Sequence, residues 1–218
     1  MRRDPGTAKA RSMRTSFDGV EHLVLGLMTE VAPQPAFTDT VDVIDGFADA
    51  GRRVALTTAQ GALRLELIDG VSYRLTRPVS HHHGHLTEVL RADWDVAEAP
   101  LVQVTLTTTF PGRVRAWGVH LATTDRLFAA SGSLCIVCYD ARRSSSTFGA
   151  VNEFLLGGRN QGMVVIPPGV YHGWKNVGDD EAAIISMPSQ LYDYDAPDRW
   201  ELTWDSPEAQ RIIPYQWA

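Results

Sequence analysis

From Val71 onward the chain breaks into short segments rich in Val, Ile, Leu and Thr. VSYRLTRPV, HLTEVLRA, LVQVTLTTTF, RVRAWGVH, RLFAAS, SLCIVCYD, GAVNEFLLG, GMVVIPP and AAIISMP follow one another at close intervals. Clusters of Gly, Pro, Asn and Asp separate them. Short β-formers punctuated by turn residues predict a sandwich or barrel; alternating β and α units would need helical stretches between the strands. The two cysteines, Cys135 and Cys138, fall inside one of these segments. The C-x-x-C spacing suggests a redox pair, but in a strand an odd offset puts the two thiols on opposite faces. Both read as packing residues of a chain kept in a reducing, cytoplasmic compartment.

Residues 1–67 read differently. MRRDPGTAKARSMRTS has a basic start with no apolar core behind it, so it does not fit a secretory signal. Residues 1–16 are expected to be a disordered arm, and Met13 offers a second possible start. Residues 17–67 form an extension of mixed character. Val41, Ile44 and Ala48 recur at helical spacing, with Asp39 or Thr40 as a cap and Gly51 at the close. RVALTTAQGALRLELIDG reads as a hairpin in which Leu63, Leu65 and Leu67 alternate. The extension is expected to pack on the barrel or exchange with it, leaving residues 68–218 as one barrel domain with a tail. In that tail Trp200, Trp204 and Trp217 are expected to bury their rings. The net charge of −6 and the lack of a Lys/Arg cluster argue against a nucleic-acid partner. No apolar run reaches the roughly 18 residues of a membrane span.

Two stretches could carry chemistry. In GRVRAWGVHLATTDRLFAASG, between Gly112 and Gly132, the residues resemble the first cupin motif with one member changed. That motif wants two histidines, a carboxylate and flanking glycines; here Gly118 stands at the first histidine, His120 at the second and Asp125 at the carboxylate. Pro167, Gly169, His172 and Asn176 meet the second motif, Pro-x-Gly-x-x-His-x-x-x-Asn, in full. Residues two apart on a strand share a face, so position 118 and His120 point the same way. His120, Asp125 and His172 thus remain as a possible metal set, two imidazoles and a carboxylate of the kind non-haem iron uses. The run HHHGH adds His81, His82, His83 and His85. It could bind a metal, but it reads more simply as a polar turn that sends one or two side chains into a pocket.

From about Ile68 to Trp217 the sequence resembles the dTDP-4-dehydrorhamnose 3,5-epimerase family, jelly-roll cupins of deoxysugar biosynthesis that work without metal. The likeness rests on the run YDARRSSSTFGAVNEFLLGGRNQGMVVIPPGVYHGWKN, with its Asp-x-Arg-x-x-Ser turn and Ile-Pro-x-Gly-x-x-His-Gly signature. It rests also on Gln103 in LVQVTLT, on the Tyr192 and Tyr194 pair, and on the closing WDSPEAQRIIPYQW. The resemblance implies a mainly β protein, a cupin jelly-roll barrel with an N-terminal α/β extension. It also implies a homodimer formed by strand exchange, a nucleotide-sugar substrate and no cofactor.

The family's catalytic residues do not all carry over. Its Arg-Gly-x-His motif aligns with Arg115, Ala116, Trp117 and Gly118, so the base position is Gly118. Its catalytic Tyr falls near Ser186, its partner Asp lies past Ala218, and the Arg before its glycine is His83. A shorter subgroup has Trp-His-x-His followed by Gln-Thr-Asp, close to Trp117-Gly-Val-His120 and Thr124-Asp125. The sugar 3,4-ketoisomerases also use a His-x-His pair here, and His120 matches its second member.

Three functions remain open. The first is a metal-free isomerase, of epimerase or cyclase type, that transfers a proton alpha to a carbonyl of a keto-sugar nucleotide or related metabolite. In it His120 is the base, with His172 or Tyr192 as partner. Arg115 and His83 hold anionic groups, Gln103, Thr105 and Thr107 line the pocket, and Trp117 and Trp174 offer stacking faces. The second is a metal-dependent cupin enzyme using His120, Asp125 and His172. The third is a cupin that binds a sugar or nucleotide and has lost catalysis.

Overall fold

The computed structural model describes residues 66–97 and 100–217. The expected arm, helix and most of the hairpin of the N-terminal extension lie outside the described residues. Among the described residues, twelve strands and one short α-helix occur in chain order, with one turn of 3-10 helix (Asp95–Ala97) besides. They are β1 (Ser72–Leu75), β2 (Val79–His81), β3 (Gly84–Leu86), β4 (Thr105–Thr109), β5 (Val114–Val119) and β6 (Asp125–Ser131). Then come β7 (Ser133–Asp140), β8 (Val151–Gly157), β9 (Gly162–Ile166), β10 (Val170–Asn176), β11 (Ala182–Ser186), β12 (Trp200–Glu201) and α1 (Pro207–Ile212). The mainly β architecture is the one the strand spacing predicts. HLTEVLRA is the exception: only β3 is strand, and the backbone leaves it after Leu86. There Arg91 folds back onto Asp93 and Glu88.

The strands form two five-stranded sheets, ordered β1-β9-β6-β11-β4 and β12-β5-β10-β7-β8, with β2-β3 as a separate hairpin. Every pairing among them is antiparallel. The sheets close on a shared core to which both contribute: Leu127, Val164, Ile166 and Ile184 from the first, and Ile136, Cys138, Phe154, Leu156 and Trp174 from the second. A second cluster covers the outer face of the second sheet. There Ala209 and Ile213 of the tail meet Trp117, Cys135, Val137 and Tyr139. Strand β7 is therefore buried on both faces, which explains why LCIVCY is apolar without alternation. Cys138 lies in the inner cluster and Cys135 in the outer one, both as free thiols.

The turns are built by the motif residues. Gly132 sits at φ +73 between β6 and β7, where an added Cβ would come 2.5 Å from that of Ala182. After β7, the buried carboxylate of Asp140 collects Arg142 Nε, Ser145 Oγ and Thr147 Oγ1 at 2.8, 2.6 and 2.7 Å. The Asp-x-Arg-x-x-Ser turn is thus a hydrogen-bonded knot that closes β7 onto β8. Asn176, the last residue of the second motif, donates through Nδ2 to the carbonyls of Thr109 and Asp180.

The tail differs from expectation in part. Trp217 packs on Trp117, with ring centroids 5.0 Å apart. Trp200 and Trp204 stay exposed instead of burying their rings: Trp200 lies on β12, an edge strand of only two residues, and Trp204 in the turn before α1. No helix among the described residues is long and apolar enough to cross a membrane.

Candidate active site

A cavity of about 650 Å³ opens at one end of the barrel. Its walls come from β4, β5, β6, β10 and β11, and the 188–201 segment runs across its mouth. On β5 Arg115 and Gly118 line the cavity, with His120 just beyond the strand, while Trp117 lies in the outer cluster. A register shift against β10 between His172 and Trp174 breaks strict alternation, so Arg115 and Trp117, two apart, part to opposite sides. Trp117 is therefore a packing residue, 1% exposed, and offers no stacking face to a ligand. That corrects the sequence expectation: the ring is on the wrong side of its strand.

His120, Asp125 and His172 meet at the floor of the cavity. Strand β10 pairs with β5 so that His172 lies opposite Gly118. Asp125 opens β6, with its side chain only 13% exposed. Its Oδ2 stands 3.3 Å from His120 Nε2 and 3.5 Å from His172 Nε2. The two imidazoles stack with centroids 5.5 Å apart.

Both rings are held from behind. His120 Nδ1 bonds the backbone carbonyl of Asp198, and His172 Nδ1 bonds that of Val170 at 3.2 Å. A carbonyl only accepts, so each Nδ1 is the donor in these bonds; a neutral ring held this way presents a bare Nε2 to Asp125, and a protonated ring donates Nε2–H to it. With both rings neutral, two lone pairs and a carboxylate face one another, an arrangement that demands a cation at its centre. A proton on either Nε2 supplies one; so would a divalent ion bound by His120 Nε2, Asp125 Oδ2 and His172 Nε2. These three donor atoms lie within 4.8 Å of one another, and their types suit a transition metal.

The electrostatics follow from this geometry. Burial works against a charged His120, but its hydrogen bond to Asp125 and the charge there outweigh burial and raise its pKa. Burial likewise works to raise the pKa of Asp125, but hydrogen bonds to His120 and then His172 hold it well below the usual carboxylate range. On the cavity wall Arg115 is exposed to solvent. Desolvation first, and then the neighbouring positive charge of Arg199, push its pKa down, while Glu201 works the other way. Such a guanidinium gains from any anion that enters.

The other expected residues divide. Gln103, Thr105, Thr107, Trp174 and Tyr192 line the cavity. Gln103 also accepts the backbone N–H of Tyr192 at 2.9 Å, so it fixes the tyrosine segment as well as lining the wall. Trp174 is mostly core; its Nε1 donates to Thr109 and its ring lies 5.6 Å from the Arg115 guanidinium. His83 sits with His82 in the exposed β2–β3 turn, and His81 and His85 are exposed on the flanking strands; none of the four lines this chain's cavity. The turn at His82–His83 also keeps the four imidazoles from sharing one strand face.

Asp198 carries no signal in the sequence; a lone Asp in a tail has no diagnostic spacing. Its carboxylate accepts the N–H groups of Leu121, Ala122 and Thr123 and the Thr123 hydroxyl, at 2.8 to 2.9 Å. Gly169, in the β9–β10 turn at φ +81, donates its N–H to the His120 carbonyl at 2.7 Å. Gly118 itself is under no backbone compulsion. Its φ lies outside the left-handed region, and an added Cβ would stand an ordinary 3.7 Å from His172 Nε2.

Comparison with known proteins places this barrel. The sequence profile of the dTDP-4-dehydrorhamnose 3,5-epimerase family matches residues 68–213. The probable low-salt glycan biosynthesis epimerase Agl13 of Haloferax volcanii is 36% identical over 139 residues, 63% of this chain and 89% of that protein. The spore coat polysaccharide biosynthesis protein SpsL of Bacillus subtilis is 30% identical over 151 residues, 69% of this chain and 97% of that protein. Among solved structures, the dTDP sugar isomerase of Desulfovibrio desulfuricans superimposes with a TM-score of 0.62 at 24% identity, covering 69% of this chain and 92% of that one.

Proposed function

The chain belongs to the dTDP-4-dehydrorhamnose 3,5-epimerase family, and from that premise we propose that it is a metal-free epimerase or isomerase of a keto-sugar nucleotide or related keto metabolite. The reaction is proton transfer alpha to the carbonyl, in deoxysugar or secondary-metabolite biosynthesis. One observation carries the proposal: His120, braced by Asp198 and facing Asp125, turns its basic nitrogen into a cavity with Arg115 on the wall. Agl13 and SpsL, named for glycan and polysaccharide biosynthesis, support a sugar substrate.

In the first step His120 Nε2 takes the C–H proton next to the ketone. The C–H electron pair moves into the carbonyl and leaves an enolate oxygen. Positive charge beside that oxygen lowers the barrier, and Arg115 supplies it. The imidazolium formed at His120 is stabilised by Asp125. A proton then returns to the carbon. Given by Tyr192, on the mouth side of the cavity, it arrives on the other face and inverts the centre, whereas His172, stacked beside His120, would first need a proton on Nε2 and would return it on the same face. The diphosphate of a nucleotide sugar would lie against Arg115 and Arg199. The base has moved two residues along the strand from the family's position, now Gly118, and the space beside His172 stays open.

The exposed hairpin and the apolar edge formed by Val104 and Leu106 support a homodimer. In it His83 would reach the partner's cavity. Residues 68–218 would then be the catalytic barrel, with residues 17–67 packing on or exchanging with a barrel.

Solvent exchange tests the reading. In D2O, with a panel of dTDP-linked keto sugars, the protein should place deuterium alpha to the carbonyl of at least one. No incorporation from any of them would favour a binding protein that has lost catalysis. The convergent donor set carries a second reading, a metal-dependent enzyme at His120, Asp125 and His172. A stoichiometric transition metal in protein purified without a His tag would decide for it.

A further inference from the structure

Asp198 is joined to His120 in two ways at once. Its backbone carbonyl accepts from His120 Nδ1, and its carboxylate clamps the turn just after His120. Four donors converge on that carboxylate: three consecutive main-chain N–H groups and the Thr123 hydroxyl. The residues just after it, Trp200 and Glu201, pair with Val119 and Gly118 of β5. The strand end that carries the base is thus gripped from both sides by one short stretch of the tail. The residues before Asp198 run across the cavity mouth and hold Tyr192 and Tyr194 there.

We propose that Asp198 is a positioning residue: its carbonyl sets the tautomer and rotamer of His120, and its carboxylate holds that carbonyl in place. Which atoms can donate decides the point. With Nδ1 protonated and engaged, the neutral ring has one lone pair, on Nε2, facing the cavity and Asp125 Oδ2 at 3.3 Å. That carboxylate by itself would favour the opposite tautomer, so the Asp198 carbonyl is what opposes it. Without the carbonyl, His120 can carry its proton on either nitrogen and can rotate about its side-chain bonds. A ring in the other tautomer presents N–H to the substrate and cannot take a proton there. The carboxylate matters because a carbonyl in an irregular tail has no sheet ladder to fix it. The clamp on Leu121, Ala122 and Thr123 supplies that constraint from a side chain. This inference takes His120 as the base of the proposed reaction, but the tautomer itself can be read without any substrate.

The test uses the full-length protein labelled with 15N-histidine, with His120 assigned by its loss in His120→Gln. Wild-type protein, at a pH where the ring is neutral, should show His120 with Nδ1 protonated. Asp198→Ala should give a mixed tautomer. It should also lower the maximal rate of solvent deuterium incorporation by about 10- to 100-fold, the range typical of lost orienting partners, with KM moved by less than about threefold. Asp198→Asn keeps one acceptor oxygen and should fall between the two. It also serves as the reading if the alanine variant does not fold. If both variants keep the wild-type tautomer and rate and lose only thermal stability, Asp198 is a structural clamp and the proposal is wrong. If the wild type exchanges no substrate at all, the proposed reaction falls, while the tautomer comparison still judges the role of Asp198.

Discussion

A single carboxylate, Asp125, faces both imidazoles, and its influence on His120 should be visible in a pH profile. The pKa of His120 is raised because Asp125 favours its charged form over the opposing effect of burial. A base must be neutral to act, so the exchange rate should climb with pH through a limb lying above the ordinary imidazole value of about 6.5. Asp125→Asn removes the charge that holds the proton, and the limb should move to lower pH. A limb that stays put in that variant would mean another group titrates. Asp140 gives a second residue-scale test, on stability. Burial works to raise its pKa, yet Arg142, Ser145 and Thr147 hold it well below the usual carboxylate range. A depressed folded-state pKa adds stability above the unfolded value of about 3.9, and that stability is lost as pH falls through the folded value. Asp140→Ala should therefore destabilise by about 3 kcal/mol at neutral pH in urea titration, with the gap from wild type narrowing in acid.

Elements were legible in the sequence to different degrees, for physical reasons that differ strand by strand. Strands β4 to β11 match the β-rich segments because each is bounded by a turn whose chemistry the sequence spells out. Gly132 is one such boundary, and Gly132→Ala should cost about 1–3 kcal/mol, since φ +73 and the approach of Ala182 both oppose a Cβ. Equilibrium denaturation would measure it, and an unchanged midpoint would mean that the β6–β7 turn tolerates a side chain. HLTEVLRA failed as a strand because composition cannot see that, among the described residues, no strand pairs with residues 87–91. Face assignment worked for His120 and failed to exclude Trp117, although alternation still holds from Trp117 to His120. A tryptophan suits an inner or an outer face equally, and only the tail packed on β5 tells them apart. Asp198 was invisible for a related reason. Its partners, the backbone N–H groups of residues 121–123, lie more than 70 positions away and have no sequence identity of their own.

At the scale of the whole molecule, the barrel brings both halves of the cupin-like signature to one point. Among the described residues, its two five-stranded sheets have four edge strands, β1, β4, β8 and β12, of which β4 carries exposed apolar side chains at its start. Strand β4 ends its sheet with Leu106 exposed and Val104 just before it. Unpaired apolar edges invite another chain. Sedimentation velocity should show a dimer, and Leu106→Lys should shift it toward monomer; a wild-type monomer would contradict the proposed assembly. His83 then gives a reaching test: if the hairpin enters a partner's cavity, His83→Ala should raise KM, and should do so only in the dimer.

The proposed mechanism turns on His120 as the base that has replaced the family's residue at Gly118. NMR of deuterium incorporation alpha to the carbonyl of a dTDP-linked keto sugar in D2O, wild type against His120→Gln, reads that role directly. Wild-type protein should incorporate deuterium, and the variant should lose roughly 10²–10⁴-fold in rate, the range for a removed general base. Incorporation at the wild-type rate by folded His120→Gln protein would contradict that assignment.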